Sequence, residues 1–495
     1  MKYDNLLEKK EATQLNLLKH LMLSSGKGSL STLAKELGVS KSSLESYVED
    51  LQITLEEYDG EITLTFEGNS LDLSMTNSFS MTQVETDFYL ASIKYNILHY
   101  IFQHGDFSPV FLSNELKLSE STLFRKIKEI NQVLEEFDIS IWQGKLVGEE
   151  SQIRYFYFQF FWYLTESRKE EIKTSEQGYI AMIEKALELH LSEESQKKVS
   201  LWLRITKKRV AMANQDFRQL NQKAILYERD PLYLKIREIT FRLFGNYAFE
   251  VADEESLLQF VFLIAMGILS EEDFDDYALV RSRFTPTALL DTVILESLLM
   301  YYKPLVMPRK LEKHIYFLLA QIHPKIYFFK GDIEVYDLDN IWSMEAYLSG
   351  HSMRVLTTHL TKIAKKQLKL SEETHHQLLI MTEIKYLSIM AILDNVMKRD
   401  VTVGIALEMD PLFKEATSNM WMLQLSSMNG VICEVYEPGK TYDLILTNKY
   451  QGKWDSDYYV FSELGTTYDL KRIRKNIRRI YASKNNPKLN RSLLG

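Results

Sequence analysis

Apolar residues near the N-terminus follow a pattern that occurs twice. Leu44, Val48 and Leu51 are spaced i, i+4 and i+7, and so are Leu123, Ile127 and Ile130. Each set lines one face of a helix. The likeness extends into both flanks. Leu33-Ala34-Lys35-Glu36-Leu37-Gly38-Val39-Ser40 aligns without a gap on Leu112-Ser113-Asn114-Glu115-Leu116-Lys117-Leu118-Ser119, an offset of 79 residues. Leu55-Glu56-Glu57-Tyr58-Asp59 aligns at the same offset on Leu134-Glu135-Glu136-Phe137-Asp138. Self-similarity at a fixed offset means one supersecondary unit used twice. In each copy a short helix ends at Leu37 or Leu116. A tight turn carries Val39 or Leu118 inward, and Ser40 or Ser119 caps a second helix. Two helices joined this way form a helix-turn-helix, whose second helix can enter a major groove.

Alternating segments follow each copy. Residues 62–66 and 71–73 flank Gly68-Asn69, and residues 139–141 and 146–148 flank Gln143-Gly144-Lys145. Both predict hairpin wings. Residues 155–164 and 257–269 are apolar throughout but shorter than the roughly 20 residues of a membrane span, so they predict buried helices. Helical spacing dominates 168–398, punctuated by Pro231, Pro286, Pro304, Pro308 and Pro324, with a break near 281–287. Beyond it, residues 401–407, 431–436, 444–446 and 459–461 read as strands, with helices near 411–428 and 470–481. That alternation predicts a small open α/β sheet. The expected fold class is mainly α and multidomain: a first winged helix-turn-helix (1–75), a second (76–167), two helical domains (168–283 and 284–398) and an α/β domain (399–495).

Composition narrows the function. Nine prolines in 495 residues suit a largely helical chain, and the single cysteine, Cys433, excludes an internal disulfide or a cysteine-cluster metal site. The polar start, without a signal-peptide core, predicts a cytoplasmic protein with no membrane partner. The net charge of −9 means that phosphate binding must rely on local positive charge. The outward face of the first recognition helix offers Lys41, Ser42, Ser43, Ser46 and Tyr47, alongside Glu45 and Glu49. The second offers Ser121, Thr122, Arg125, Lys126 and Lys128 after Glu120, with Lys145 in its wing and Arg154 beyond. The expected partner is double-stranded DNA, with the second unit as the stronger reader.

The second unit also carries a family resemblance. Leu118-Ser119-Glu120-Ser121-Thr122-Leu123, Ile127, Ile130-Asn131 and Gly148-Glu149-Glu150-Ser151-Gln152-Ile153-Arg154 resemble the Mga/AtxA family of Gram-positive transcription regulators, and the order of regions extends that resemblance along the chain. The resemblance implies two helical domains similar to phosphotransferase-system regulatory domains and a C-terminal domain similar to enzyme IIB. It also implies self-association, as a homodimer or higher oligomer, and phosphotransferase phosphocarrier proteins as partners.

In related regulatory domains, histidines accept phosphate. The histidines available here are His190, His314, His323, His351, His359, His375 and His376, of which His359, His375 and His376 are the candidates. Residues 201–209 resemble a segment that often carries histidine in relatives but have none. An active enzyme IIB often has a cysteine after its first strand, whereas this chain has Glu408-Met409-Asp410-Pro411 there and Cys433 inside the second strand, where burial is expected. An assembly or sensing module, not a phosphotransfer enzyme, is therefore expected. The adjacent His375 and His376 do not share a helix face, so no metal site is expected. Residues 25–29 are outwardly like a phosphate loop but lack its upstream glycine, and read as the loop before a helix starting near Ser31. No catalytic fingerprint or cofactor motif is present, and no enzyme activity or cofactor is expected. The basic run Lys471, Arg472, Arg474, Lys475, Arg478 and Arg479 reads as a solvated helix face. The competing functions are an RNA-binding antiterminator and a phosphotransferase-linked sensor that does not bind DNA.

Overall fold

The computed structural model describes the chain apart from residues 167–171, 211, 213–214, 245–252, 303–304, 334–350, 398–399, 429, 450–453, 455, 463 and 486–495. The expected domain limits at 167–168 and 398–399, and the side chain of His351, lie outside the described residues. The fold is mainly α. Two compact units form, one from residues 1–290, 320–347 and 364–382, the other from 291–319, 348–363 and 383–495.

The first unit opens with α1 (Lys9–Leu23), β1 (Lys27–Ser29), α2 (Leu30–Glu36), α3 (Lys41–Leu55), β2 (Ile62–Glu67) and β3 (Ser70–Met75). Residues 25–29 are not simply a loop. Lys27–Ser29 is a short strand in the sheet order β1-β3-β2, antiparallel throughout, and α2 starts directly after it. Gly26 lets the backbones approach: it has φ +85°, and a Cβ there would lie 2.6 Å from the Leu73 carbonyl oxygen. The segment is thus the third strand of the first wing.

Next come α4 (Met81–Ala91), α5 (Ile93–His104), α6 (Pro109–Glu115), α7 (Glu120–Leu134), the two-stranded wing β4 (Ile139–Trp142) and β5 (Lys145–Gly148), and α8 (Glu150–Glu166). Tyr155, Phe156, Tyr157, Phe158, Phe160, Phe161 and Trp162 of α8 are all buried. A helix apolar on every side must lie inside the protein. Phe156 meets Phe137, Tyr157 meets Phe102, Phe158 meets Phe262, and Tyr155 stacks on Phe329 at 4.2 Å. The buried helix expected at 155–164 is therefore the centre around which this unit packs.

The helical region of this unit contains α9 (Thr174–Leu187), α10 (Glu193–Val210), α11 (Arg218–Ala224), α12 (Pro231–Phe244), α13 (Asp253–Ala265) and α14 (Glu271–Val280). Residues 257–265 on α13 are buried, as their apolar run predicts. The break near 281–287 is a short non-helical stretch before α15 (Pro286–Tyr301). After it come α16 (Arg309–Phe328), α17 (His351–Gln367) and α18 (Glu372–Met397).

Arg154 is fully buried, not available beside the wing as its position in sequence suggests. Its guanidinium donates to Glu150 at 2.8 Å and to Glu255 at 2.5 and 2.6 Å. Arg209 donates to the other side of Glu150, at 2.6 Å. Burial pushes the Glu150 carboxyl up, but the two guanidinium groups outweigh it and hold it below its ordinary value. The cluster joins α8 to α10 and α13.

The C-terminal sheet belongs to the second unit. It comprises β6 (Val401–Ala406), α19 (Pro411–Ser426), β7 (Val431–Val435), β8 (Leu444–Thr447), β9 (Asp457–Val460) and α20 (Thr467–Asn485). The four strands are parallel in the order β7-β6-β8-β9, with Val403 opposite Cys433 and Leu444. Val403, Ile405, Trp421, Leu446, Phe461 and Ile473 are among its core residues. Cys433 is half-buried, and burial together with Glu434 pushes its thiol up to about 12. It stays protonated and unreactive at neutral pH. Among the described residues, no helix is long and apolar enough to cross a membrane.

Arg154→Ala would leave two buried carboxylates without their common cation. It is expected to lower stability by about 3–5 kcal/mol, read as a shift in urea denaturation. A carboxyl whose pKa is depressed in the folded state stabilises the fold at pH values above its ordinary pKa. The wild-type protein is therefore expected to lose the Glu150 contribution as pH falls below about 4.5, whereas Glu150→Gln flattens that part of the stability-against-pH curve.

Candidate nucleic-acid interface

Both helix-turn-helix units form, and for local reasons. The Ser40 hydroxyl accepts from the Ser43 amide at 3.1 Å, and the Ser119 hydroxyl accepts from the Thr122 amide at 3.2 Å. Each satisfies an amide that the first turn leaves without a partner. The turn between the helices needs a left-handed residue. Gly38 supplies it in the first unit with φ +66°, and Lys117 adopts the same conformation in the second with φ +54°. Leu44, Val48 and Leu51, and Leu123, Ile127 and Ile130, are buried as their spacing predicts. The two-residue wing turn Gln143-Gly144 has positive φ at both positions, which matches strand twist in a hairpin. Gly144 lies so close to residue 107 that a Cβ would clash with the Phe107 carbonyl oxygen. The wing is therefore seated on the loop before α6.

The outward face of α7 differs from expectation at one basic position. Lys126 is 4% exposed. Its ammonium donates to Glu8 at 2.6 Å and to Glu129 at 3.2 Å, and Glu129 also meets Lys94 at 3.0 Å. Burial lowers the Lys126 ammonium, but the hydrogen bonds to Glu8 and Glu129 outweigh it and raise it above the ordinary lysine value. Position 126 lies three residues after Leu123 and four before Ile130, so it belongs to the inward stripe, and the lysine bridges α7 to the N-terminal segment. It is not a free contact for DNA.

The exposed stripe is instead Ser121, Phe124, Arg125 and Lys128. Among the described residues, no carboxylate pairs with Arg125 or Lys128. Thr122 is half-buried, its hydroxyl 2.9 Å from that of Ser119. Lys145 is exposed in the wing, 3.5 Å from Asp106, beside Trp142, which is 66% exposed. Sequence reasoning overlooked Phe124, which is 53% exposed. The signal was present: 121, 124, 125 and 128 follow helical spacing opposite the apolar stripe.

The first recognition helix, α3, is poorer in free cations. Lys41 and Ser42 are exposed, as is Ser46, but Lys41 lies 3.9 Å from Glu45, and Glu49 occupies the same exposed side. Ser43 is half-buried with its hydroxyl 2.7 Å from Ser40, and Tyr47 is half-buried with its carbonyl accepting from Gln14 at 2.8 Å.

The histidines divide by burial. His376 is exposed and His359 half-buried. His375 is 6% exposed, and its Nδ1–H donates to the Ser371 carbonyl at 3.1 Å. Burial pushes its ring down to about 4, with the Ser371 bond opposing that and Lys223 and Lys330 adding to it. The imidazole is neutral near pH 7.

Residues 77–161, from just before α4 into α8, match the model of the Mga helix-turn-helix domain. A protein of Streptococcus pneumoniae serotype 4 that carries the provisional name trans-acting regulator is 27% identical to this chain over 160 residues. That stretch spans 32% of this chain and about a third of the relative's own length.

Replacing Lys126 removes the cation from Glu8 and leaves Glu129 with Lys94 alone, whereas Arg125 and Lys128 are exposed and pair with no carboxylate among the described residues. Lys126→Ala is expected to cost about 1–3 kcal/mol of stability, and Arg125→Ala or Lys128→Ala less than about 0.5 kcal/mol. Thermal unfolding of the three variants measures the difference.

Proposed function

Starting from a chain related to the Mga family of regulators through its Mga helix-turn-helix domain, we propose that this transcription regulator binds promoter duplex DNA. The second winged unit makes the main contact. The observation that carries this reading is the exposed stripe of α7, where Arg125 and Lys128 stand free on a capped recognition helix in a chain whose overall charge is negative. The N-terminal part of such a helix meets base edges, and Arg125 sits there. Lys128, one turn further on, suits a phosphate. Lys145 and the α3 face, through Lys41, Ser42 and Ser46, add weaker contacts.

Two further elements complete the proposal. The chain self-associates through its C-terminal domain. Supporting this, α19 exposes Leu412, Phe413, Met420 and Leu423, which fall within an arc of about 100° at helical spacing. Phosphocarrier proteins of the phosphotransferase system tune the regulator through His359, His375 or His376, of which His376 is exposed while both ring nitrogens of His375 are buried in this state. Neutral imidazole is a competent phosphate acceptor, and a phosphoryl group would place new negative charge on α17 or α18. The domain limits expected from sequence, 1–75, 76–167, 168–283, 284–398 and 399–495, are the units in which these roles are assigned.

A mobility-shift series with promoter-sized duplex DNA at increasing salt tests the main reading. Wild-type binding is expected to weaken with salt. Arg125→Ala is expected to lose between about 5- and 150-fold in affinity, and Lys128→Ala to reduce the salt slope by about one. Equal binding by wild type and Arg125→Ala would remove α7 as the reader, and tighter binding to leader RNA than to duplex DNA would favour an antiterminator. For the other elements, Leu412→Glu/Leu423→Glu is expected to yield monomers in light scattering. Mass spectrometry after incubation with the phosphocarriers and a phosphate donor is expected to find phosphohistidine at one of the three positions.

A further inference from the structure

An exposed phenylalanine on a recognition helix needs an account. Phe124 is 53% exposed, although its helix turns another face, Leu123, Ile127 and Ile130, into the core. It is the fifth residue of α7 (Glu120–Leu134), within the first two turns. Its neighbours on the stripe are Ser121, one turn before it, Arg125 beside it and Lys128 one turn after. Along α7 this aromatic is bracketed by a hydroxyl and by two cations that pair with no carboxylate among the described residues. Charge complementarity therefore selects a polyanion as the surface that covers it.

A duplex presents one apolar group in the major groove, the C5-methyl of thymine, and phenylalanine is among the side chains that contact it. We propose that Phe124 is a specificity-determining residue that packs on a thymine methyl, while Arg125 beside it hydrogen-bonds an adjacent base and Lys128 holds the backbone. The inference rests on the DNA-binding reading above and deepens it. It assigns base readout to the second unit and predicts a thymine within the contacted site. Thr122 takes no part in that contact, because its hydroxyl is spent near the cap at Ser119.

The test separates the two levels of the claim. The full chain selects duplexes from a random 20-base-pair library, and each thymine of the selected site is then replaced by deoxyuridine, which lacks only the methyl group. Wild type is expected to lose about fourfold in affinity at one thymine, the value of a buried methyl of ~0.8 kcal/mol. Phe124→Ala is expected to bind the thymine and deoxyuridine duplexes alike, and Phe124→Leu to restore part of the preference. Because Phe124 is exposed, both variants are expected to melt with wild type, which keeps the comparison independent of folding. Wild type that binds yet is indifferent to the methyl at every thymine would overturn the assignment of Phe124 while leaving DNA binding intact. Wild type that selects no duplex at low salt would overturn both.

Discussion

The buried charge cluster on Arg154 is the constraint on which the larger unit depends. One guanidinium holds Glu150 from its own helix and Glu255 from α13, and Arg209 of α10 closes the other side of Glu150. Charges this far from water are tolerated only when each donor and acceptor is matched. That demand fixes the register of three helices at once. It also ties the helix that ends the second winged unit to the helical region, so the two behave as parts of one packed body.

Around that cluster, α8 organises its surroundings with a second set of directional contacts. Gln152, Tyr155 and Gln159 fall at i, i+3 and i+7, and together they satisfy the backbone of the segment after α16. Gln152 spans the Phe328 carbonyl and the Lys330 amide, Tyr155 donates to the Gly331 carbonyl, and Gln159 accepts from the Ile333 amide. The same segment holds the corner between recognition helix and wing. Lys330 pairs with Asp138 at 2.6 Å, and Gly331 lies so close to Phe137 that a Cβ would meet the ring at 2.7 Å. The orientation of α7 is thus set from behind by the helical region, while its outer stripe is left to solvent. His375 stands near this corner, since Lys223, Lys330 and Asp138 all act on its ring. A change of charge there would be felt by the residues that seat the wing.

How much was legible follows the range of the interactions. The caps at Ser40 and Ser119, the inward stripes and the wing turns depend on residues a few positions apart, and all were readable from the sequence. So were the α/β alternation of the C-terminal region and the absence of a cysteine after its first strand, whereas the parallel pairing of the four strands came only with the structure. The role of residues 25–29 was not, because β1 exists only through pairing with β3, more than 40 residues later. The outward position of Phe124 follows from helical spacing, but its apolar character gives no polar signal of a nucleic-acid contact.

The sequence by itself determined the two helix-turn-helix units, the α-rich class and the C-terminal α/β alternation, since periodicity and capping are local properties of the chain. Tertiary structure decided which cations are free. Arg125, Lys126 and Arg154 look alike in sequence, yet one faces solvent and two are drawn inside by carboxylates from distant segments, Glu8 for Lys126 and Glu255 for Arg154. Helical spacing places Lys126 on the inward stripe, but the partners of Lys126 and Arg154 are set by which distant segments the fold brings together.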